Sequence, residues 1–189
     1  MTKDSLLLSP SPLLCPGIYL ILGGARSGKS RFAEQLVEQA KQPIYIATAQ
    51  AKDSEMAQRI AAHRARRGKQ WITIEEPIAL AQILTRWNTE ETAILVDCLT
   101  LWLSNLLCDD QNEENIAISD LLTVLPKVTG TVVFVANEVG LGIVPDTPLA
   151  RRFRDQAGRL NQEIATRADI VYFIAAGLPL MLKNRIEQE

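Results

Sequence analysis

The stretch Ile18-Tyr19-Leu20-Ile21-Leu22-Gly23-Gly24-Ala25-Arg26-Ser27-Gly28-Lys29-Ser30 decides the fold. Five apolar residues, two of them β-branched and one aromatic, make a continuous run of the kind a strand covered on both faces requires. Next comes G-x-x-x-x-G-K-[ST], from Gly23 to Ser30, and then a segment of helical character over 29–41. In that context the glycines permit a turn that aims successive N–H groups inward at the positive end of a helix, an arrangement suited to phosphate oxygens. Lys29 adds a cation able to follow β- and γ-phosphates, and the Ser30 hydroxyl is placed for magnesium.

Further branched, apolar runs occur at 44–47, 93–96, 131–136 and 170–175, with a weaker one at 71–74. Helix-like segments over 53–67, 78–87, 99–107, 116–125 and 148–168 lie between and beside them. Alternation of this kind predicts a parallel sheet wrapped by helices on both faces through right-handed crossovers. The expected fold is therefore α/β, of P-loop NTPase type and RecA-like. Residues 1–17, interrupted by Pro10, Pro12 and Pro16, read as a flexible extension, and 18–189 as a single catalytic domain.

With 189 residues, 47% of them apolar, the chain can bury one substantial core. A net charge of −2 argues against a general nucleic-acid binder, and the longest apolar region, 93–108, is broken by Asp97, Ser104 and Asn105 and is too short for a membrane span. Cys15, Cys98 and Cys108 form neither a CxxC pair nor a metal-ligand spacing, so a reducing cytoplasm is expected. Asp109, Asp110, Glu113 and Glu114 read as a solvated acidic loop.

Two roles fit Asp97, which closes the strand run 93–96: a carboxylate for magnesium or its waters, and a cap for the helix that follows. The roles are compatible. His63 is the only histidine, in a helix-like segment with Arg59 four residues before it and Arg66 and Arg67 three and four after. A half-buried helix histidine is the plain reading. The arginines favour another, in which their charge disfavours imidazolium and leaves a neutral nitrogen as nucleophile or acceptor; a nucleic-acid patch is a third reading, opposed by the net acidic chain and the lack of interleaved aromatics.

The ordered set Gly23 to Ser30, Tyr45-Ile46-Ala47-Thr48-Ala49, Glu55-Met56, Arg59-Ile60, His63, Trp71, Glu75, Val96-Asp97-Cys98-Leu99-Thr100-Leu101-Trp102 continues beyond the midpoint of the chain. There it runs through Asn137-Glu138-Val139-Gly140, Gly142-Ile143-Val144-Pro145, Ala157-Gly158-Arg159, Asn161-Gln162 and Gly177-Leu178-Pro179. From about Ile18 to Lys183 it resembles the bifunctional adenosylcobinamide kinase/adenosylcobinamide-phosphate guanylyltransferase family. One departure is Asp146-Thr147, where the pattern has Glu-Asn.

The resemblance implies phosphorylation of adenosylcobinamide by ATP or GTP, then transfer of GMP from GTP through a guanylyl-histidine at His63 to adenosylcobinamide phosphate. Nucleotide contacts carry over to Gly23, Gly24, Ala25, Arg26, Ser27, Gly28, Lys29 and Ser30, to Ala47, Thr48 and Ala49, to Arg64, Ala65, Arg66 and Arg67, and to Glu75 and Asp97. Lys29 and His63 are implied as the catalytic pair, Ser30 and Asp97 as magnesium contacts, and a homotrimer as the assembly, with Trp102 at an interface or in the core. Glu75 is either an acceptor for a guanine edge or ribose hydroxyl, or a solvated charge before Pro77. Asn137 and Glu138 close a strand on the edge where open α/β sheets bind ligands, although Asn137 also suits a turn.

Overall fold

The computed structural model describes residues 13–50, 67–108 and 114–186. Seven strands form one sheet: β1 Gly17–Gly23, β2 Gln42–Ala47, β3 Ile72–Glu75, β4 Thr92–Asp97, β5 Thr131–Asn137, β6 Ile170–Ala175 and β7 Leu178–Asn184. The order is β3-β2-β4-β5-β1-β6-β7, with every pairing parallel except β6 with β7. The helices are α1 Lys29–Val37, α2 Leu80–Trp87, α3 Leu99–Leu107, α4 Glu114–Val124 and α5 Pro148–Arg167, with a 3-10 turn at Leu125–Lys127.

The central strands are apolar at successive positions because both of their faces are covered. In β4 and β5 every residue before the last is buried, and odd and even positions feed two separate cores. Ile94, Val96, Val132 and Phe134 pack under α2, α3, α4 and α5 around Trp102 and Leu103. Ala93, Leu95, Val133 and Val135 join Ala33, Leu36 and Val37 of α1 on the other face. A one-residue slip in register would exchange the two sets, so the parallel pairing Ile94 to Val132 is held from both sides.

Helix boundaries follow local chemistry. Residues Lys29–Val37 form α1 and the chain leaves the helix before Lys41, four residues short of the predicted run. Thr147 accepts from Ala150 N–H at 3.2 Å and Pro148 opens α5, so the Asp146-Thr147 departure supplies a working N-cap. At the other end of α5, Lys183 of β7 donates to the carbonyls of Ala165, Thr166 and Ala168. A cation there suits the negative end of a helix.

Trp102 is fully buried, with Nε1 donating to Ile78 O at 2.7 Å, so the core alternative of its two readings holds. Two other features differ from expectation. Glu114 is buried too, paired with Arg152 at 2.7 Å, and it opens α4 where a solvated loop was expected. Finally, β7 was not anticipated: Pro179 and exposed Leu178, Leu180 and Leu182 give it neither alternation nor a buried run. Residues 109–113 and most of the predicted 53–67 helix lie outside the described residues, as does 1–12 of the predicted extension. Among the described residues, no helix is long and apolar enough to cross a membrane.

Candidate nucleotide site

The C-terminal ends of β1, β2, β3, β4 and β5 share one edge of the sheet, and the predicted residues that the structure describes gather along it. At the end of β1, a Cβ on Gly23 would lie 2.6 Å from Ile174 O and 2.6 Å from Ser27 Oγ, closer than any side chain tolerates. Gly28, at φ 99°, takes the left-handed turn into α1, and Arg26 also has positive φ, at 56°. Gly177 reaches across from the β6–β7 turn to donate its N–H to Ser27 O at 2.8 Å, fixing the loop from outside. Ala25 and Arg26 are exposed, Gly24 and Ser30 half-buried.

Lys29 is 8% exposed, and its Nζ donates to Gly24 O at 3.0 Å, so the ammonium folds back over its own loop. Ser27 Oγ is buried and has no hydrogen-bond partner among the described residues. A buried hydroxyl in that condition is uncommon and points to a contact made with something else.

Asp97 stands at the end of β4, separated from β1 by β5. Its Oδ2 accepts from the Tyr45 hydroxyl at 3.1 Å. Burial above all, then the Asp97 charge, pushes the Tyr45 phenol far above its ordinary range, so this hydroxyl remains a donor. Asp97 does not serve as the helix cap, since Cys98 occupies that position and no side chain caps α3. Ala47 is in register with both Asp97 and Glu75. Glu75 itself is exposed on the edge strand, while Ala49 is half-buried just beyond β2.

Thr48 ties two strand exits together. It is completely buried, accepts from Cys98 N–H and donates to Cys98 O, both at 2.8 Å. Asn105 Nδ2 on α3 donates to Thr48 O at 2.8 Å and to Pro77 O at 3.2 Å, tying the exits of β2 and β3 together. The only trace of Asn105 in the sequence is an amide within a largely apolar helix. Asn137 N–H donates to Thr100 Oγ1 at 2.7 Å, and Glu138 N–H to Gly23 O at 3.0 Å, so both flank the glycine turn. Glu138 Oε1 meanwhile accepts from Gly140 N–H at 2.5 Å.

Arg67 closes the edge. Its guanidinium carbon lies 3.4 Å from the Tyr45 ring centroid, and Nη1 is 3.8 Å from Glu34 of α1. His63, Arg64, Ala65 and Arg66 fall outside the described residues.

A magnesium ion fits the donor set. The Ser30 hydroxyl and Asp97 carboxylate are hard oxygen donors, and a nucleotide-bound magnesium takes only one or two protein oxygens beside phosphate and water. The Tyr45 bond already holds the Asp97 carboxylate in a fixed orientation, as metal-binding carboxylates require.

A strand, a glycine turn and a helix, with a carboxylate strand one position removed, define the class: this is a P-loop NTPase-type α/β protein, RecA-like in its sheet. Solved structures share that architecture, including a type III secretion system ATPase at TM-score 0.58 and 11% identity, covering 91% of this chain and 57% of that one. A KaiC-like protein from Pyrococcus horikoshii matches at TM-score 0.51 and 12% identity, over 92% of this chain and 82% of that one.

Within the class, the chain belongs to the cobinamide kinase / cobinamide phosphate guanyltransferase family, whose model matches residues 19–182. It is 53% identical to the bifunctional adenosylcobalamin biosynthesis protein CobP of Pseudomonas aeruginosa, over 87% of this chain and 96% of that protein. The corresponding protein CobU of Escherichia coli is 39% identical, over 88% and 99%.

Proposed function

We propose that this chain carries out two successive reactions of cobalamin assembly on one corrinoid. In the first, the hydroxyl of the aminopropanol arm of adenosylcobinamide attacks the γ-phosphorus of ATP or GTP, the bridging P–O bond breaks, and ADP or GDP leaves. In the second, a His63 nitrogen attacks the α-phosphorus of GTP and pyrophosphate leaves. The substrate phosphate then attacks the histidine-bound GMP, giving adenosylcobinamide-GDP and restoring the imidazole. Family membership across residues 19–182 carries the reading. The described geometry supports it with a glycine cradle, a buried Lys29 and an unpartnered Ser27 hydroxyl on one sheet edge.

Each residue has a physical task. The turn from Gly23 to Gly28 presents N–H groups to the β- and γ-phosphates at the start of α1, and Ser27 Oγ donates to an oxygen there. Lys29 exchanges its bond with Gly24 O for phosphate oxygens, offsetting charge that builds as the bridging bond breaks. Ser30 and Asp97 hold magnesium, which neutralises phosphate charge when bound. Arg64, Ala65, Arg66 and Arg67 approach the triphosphate from the segment containing His63, and Ala47, Ala49 and Glu75 border the base and ribose. Splitting the transfer at His63 replaces the meeting of two polyanions by two attacks on one held phosphorus. Residues 18–189 act as one catalytic domain, cytoplasmic and homotrimeric.

Mass measurement after incubation with GTP and magnesium tests the reading. The expected result is a GMP adduct on the peptide containing His63, lost on acid treatment and absent from His63→Ala. A protein that phosphorylates cobinamide and never gains the adduct is a simple kinase, and the proposal fails.

A further inference from the structure

Tyr45 is not among the residues assigned above to the nucleotide, yet it touches two that are. Its hydroxyl donates to Asp97 Oδ2 at 3.1 Å, and its ring face carries the Arg67 guanidinium at 3.4 Å. Trp71 packs edge-on against the same ring at 6.4 Å between centroids, leaving the phenol 5% exposed. Arg67 is equally enclosed, with 5% of its side chain exposed, and its buried Nε and Nη1 have no hydrogen-bond partner among the described residues. A desolvated guanidinium lying on an aromatic face is fixed in plane and position, and Nη1 here lies 3.8 Å from Glu34 of α1.

We propose that Tyr45 is a positioning residue that sets the Asp97 carboxylate and the Arg67 guanidinium against each other across the nucleotide's metal-bearing side. Two separable features of one side chain do this. The hydroxyl fixes which way the carboxylate turns, as second-sphere donors do for metal ligands. The ring seats the cation at the C-terminal end of the segment containing His63. The inference rests on the proposed magnesium role of Asp97 but not on the guanylyl-transfer step.

The test uses the full chain and a fluorescent N-methylanthraniloyl-GTP, titrated in saturating magnesium and in excess EDTA. Tyr45→Phe keeps the ring and removes the donor. Its magnesium half-saturation is expected to rise about ten- to hundred-fold, the usual loss when a metal ligand's hydrogen-bond partner is removed, while affinity in EDTA is unchanged. Tyr45→Leu removes both features and is expected to weaken binding in EDTA as well. In an Asp97→Asn background, Tyr45→Phe should have no further effect on the magnesium dependence. The proposal is overturned by a Tyr45→Phe chain indistinguishable from the parent, by equal losses in both titrations, or by a large drop in its melting temperature, which would make the hydroxyl structural. Additive losses in the double variant, or parent affinity indifferent to magnesium, overturn it as well. Should the parent bind magnesium–nucleotide as expected and form no GMP adduct, the transfer reading falls and the Tyr45 assignment stands.

Discussion

Thr48 and Cys98 are joined by two hydrogen bonds through one hydroxyl, which accepts from Cys98 N–H and donates to Cys98 O, each at 2.8 Å. The pair locks the exit of β2 to the exit of β4, so the positions of Ala47 and Asp97 are set together. Thr48→Val, nearly identical in volume, strands the buried Cys98 N–H in a place water does not reach, while Cys98 O keeps the Trp102 N–H at 3.0 Å. The expected loss is about 1–3 kcal/mol of unfolding free energy, read from urea denaturation. Thr48→Ser keeps the hydroxyl and should recover most of it; equal losses for the two would assign the effect to the methyl group.

Lys29 donates to Gly24 O at 3.0 Å, so its ammonium is already poised above the glycine turn. Lys29→Met preserves the buried stem and removes the charge. Triphosphate affinity should fall about ten- to hundred-fold, the weight of a charge-assisted bond, with GMP affinity much less affected. Isothermal titration with GTP and GMP separates the two, and parallel losses would show that the lysine organises the loop and does not bind β- and γ-phosphates.

Gly23 has no room for a methyl group, since its Cβ would meet Ile174 O and Ser27 Oγ at 2.6 Å each. The first of those atoms is backbone in the adjacent strand and cannot move alone. Gly23→Ala is therefore expected to cost about 1–3 kcal/mol through strain and to displace Ser27 from the cradle, lowering both melting temperature and GTP affinity. Gly24→Ala meets nothing within 4 Å and serves as the control. Similar penalties at the two positions would count against this geometry.

How much of this was legible beforehand depended on whether a residue's role was local. The order of strand, glycine turn and helix announced itself because a phosphate cradle needs consecutive residues of fixed types, and Lys29 and Ser30 came with it. The parallel sheet followed from unbroken apolar runs such as 93–96, which only a doubly covered strand can hide. Tyr45, Asn105 and Gly177 could not be assigned that way. Their roles depend on Asp97, on Thr48 and Pro77, and on Ser27 respectively, partners 28 to 150 residues away or brought close by strand order alone. Glu114 misled for the same reason: its partner Arg152 lies 38 residues on, and nothing nearby distinguishes it from the acidic residues before it. In β7 the exposed leucines contradict the usual association of apolar residues with burial, and its pairing with β6 is fixed by the short turn at Ala176 and Gly177, both with positive φ.

The remaining prediction concerns alkaline pH, where buried Cys98 and Tyr19 act in the same direction as Tyr45. Burial, and then the neighbouring Asp97 charge, pushes the Cys98 thiol up from 9.0 to about 11. Tyr19, buried while exchanging hydrogen bonds with Cys15, is pushed up from 10.0 to about 12, again chiefly by burial. In both cases the folded chain keeps a proton that the unfolded chain releases. Stability from these groups is therefore fully present below pH 9 and declines as pH rises from 9 toward 12, with a limiting slope of about 1.4 kcal/mol per pH unit for each group. Cys98→Ala should flatten the part of the urea-denaturation profile between pH 9 and 11 and leave the later decline from Tyr19 and Tyr45 in place. The same burial predicts that a thiol reagent near neutral pH modifies exposed Cys108 quickly and Cys98 only as the protein unfolds. A profile whose slope is unchanged by Cys98→Ala, or rapid native-state labelling at Cys98, would contradict the packing described around the Thr48–Cys98 pair.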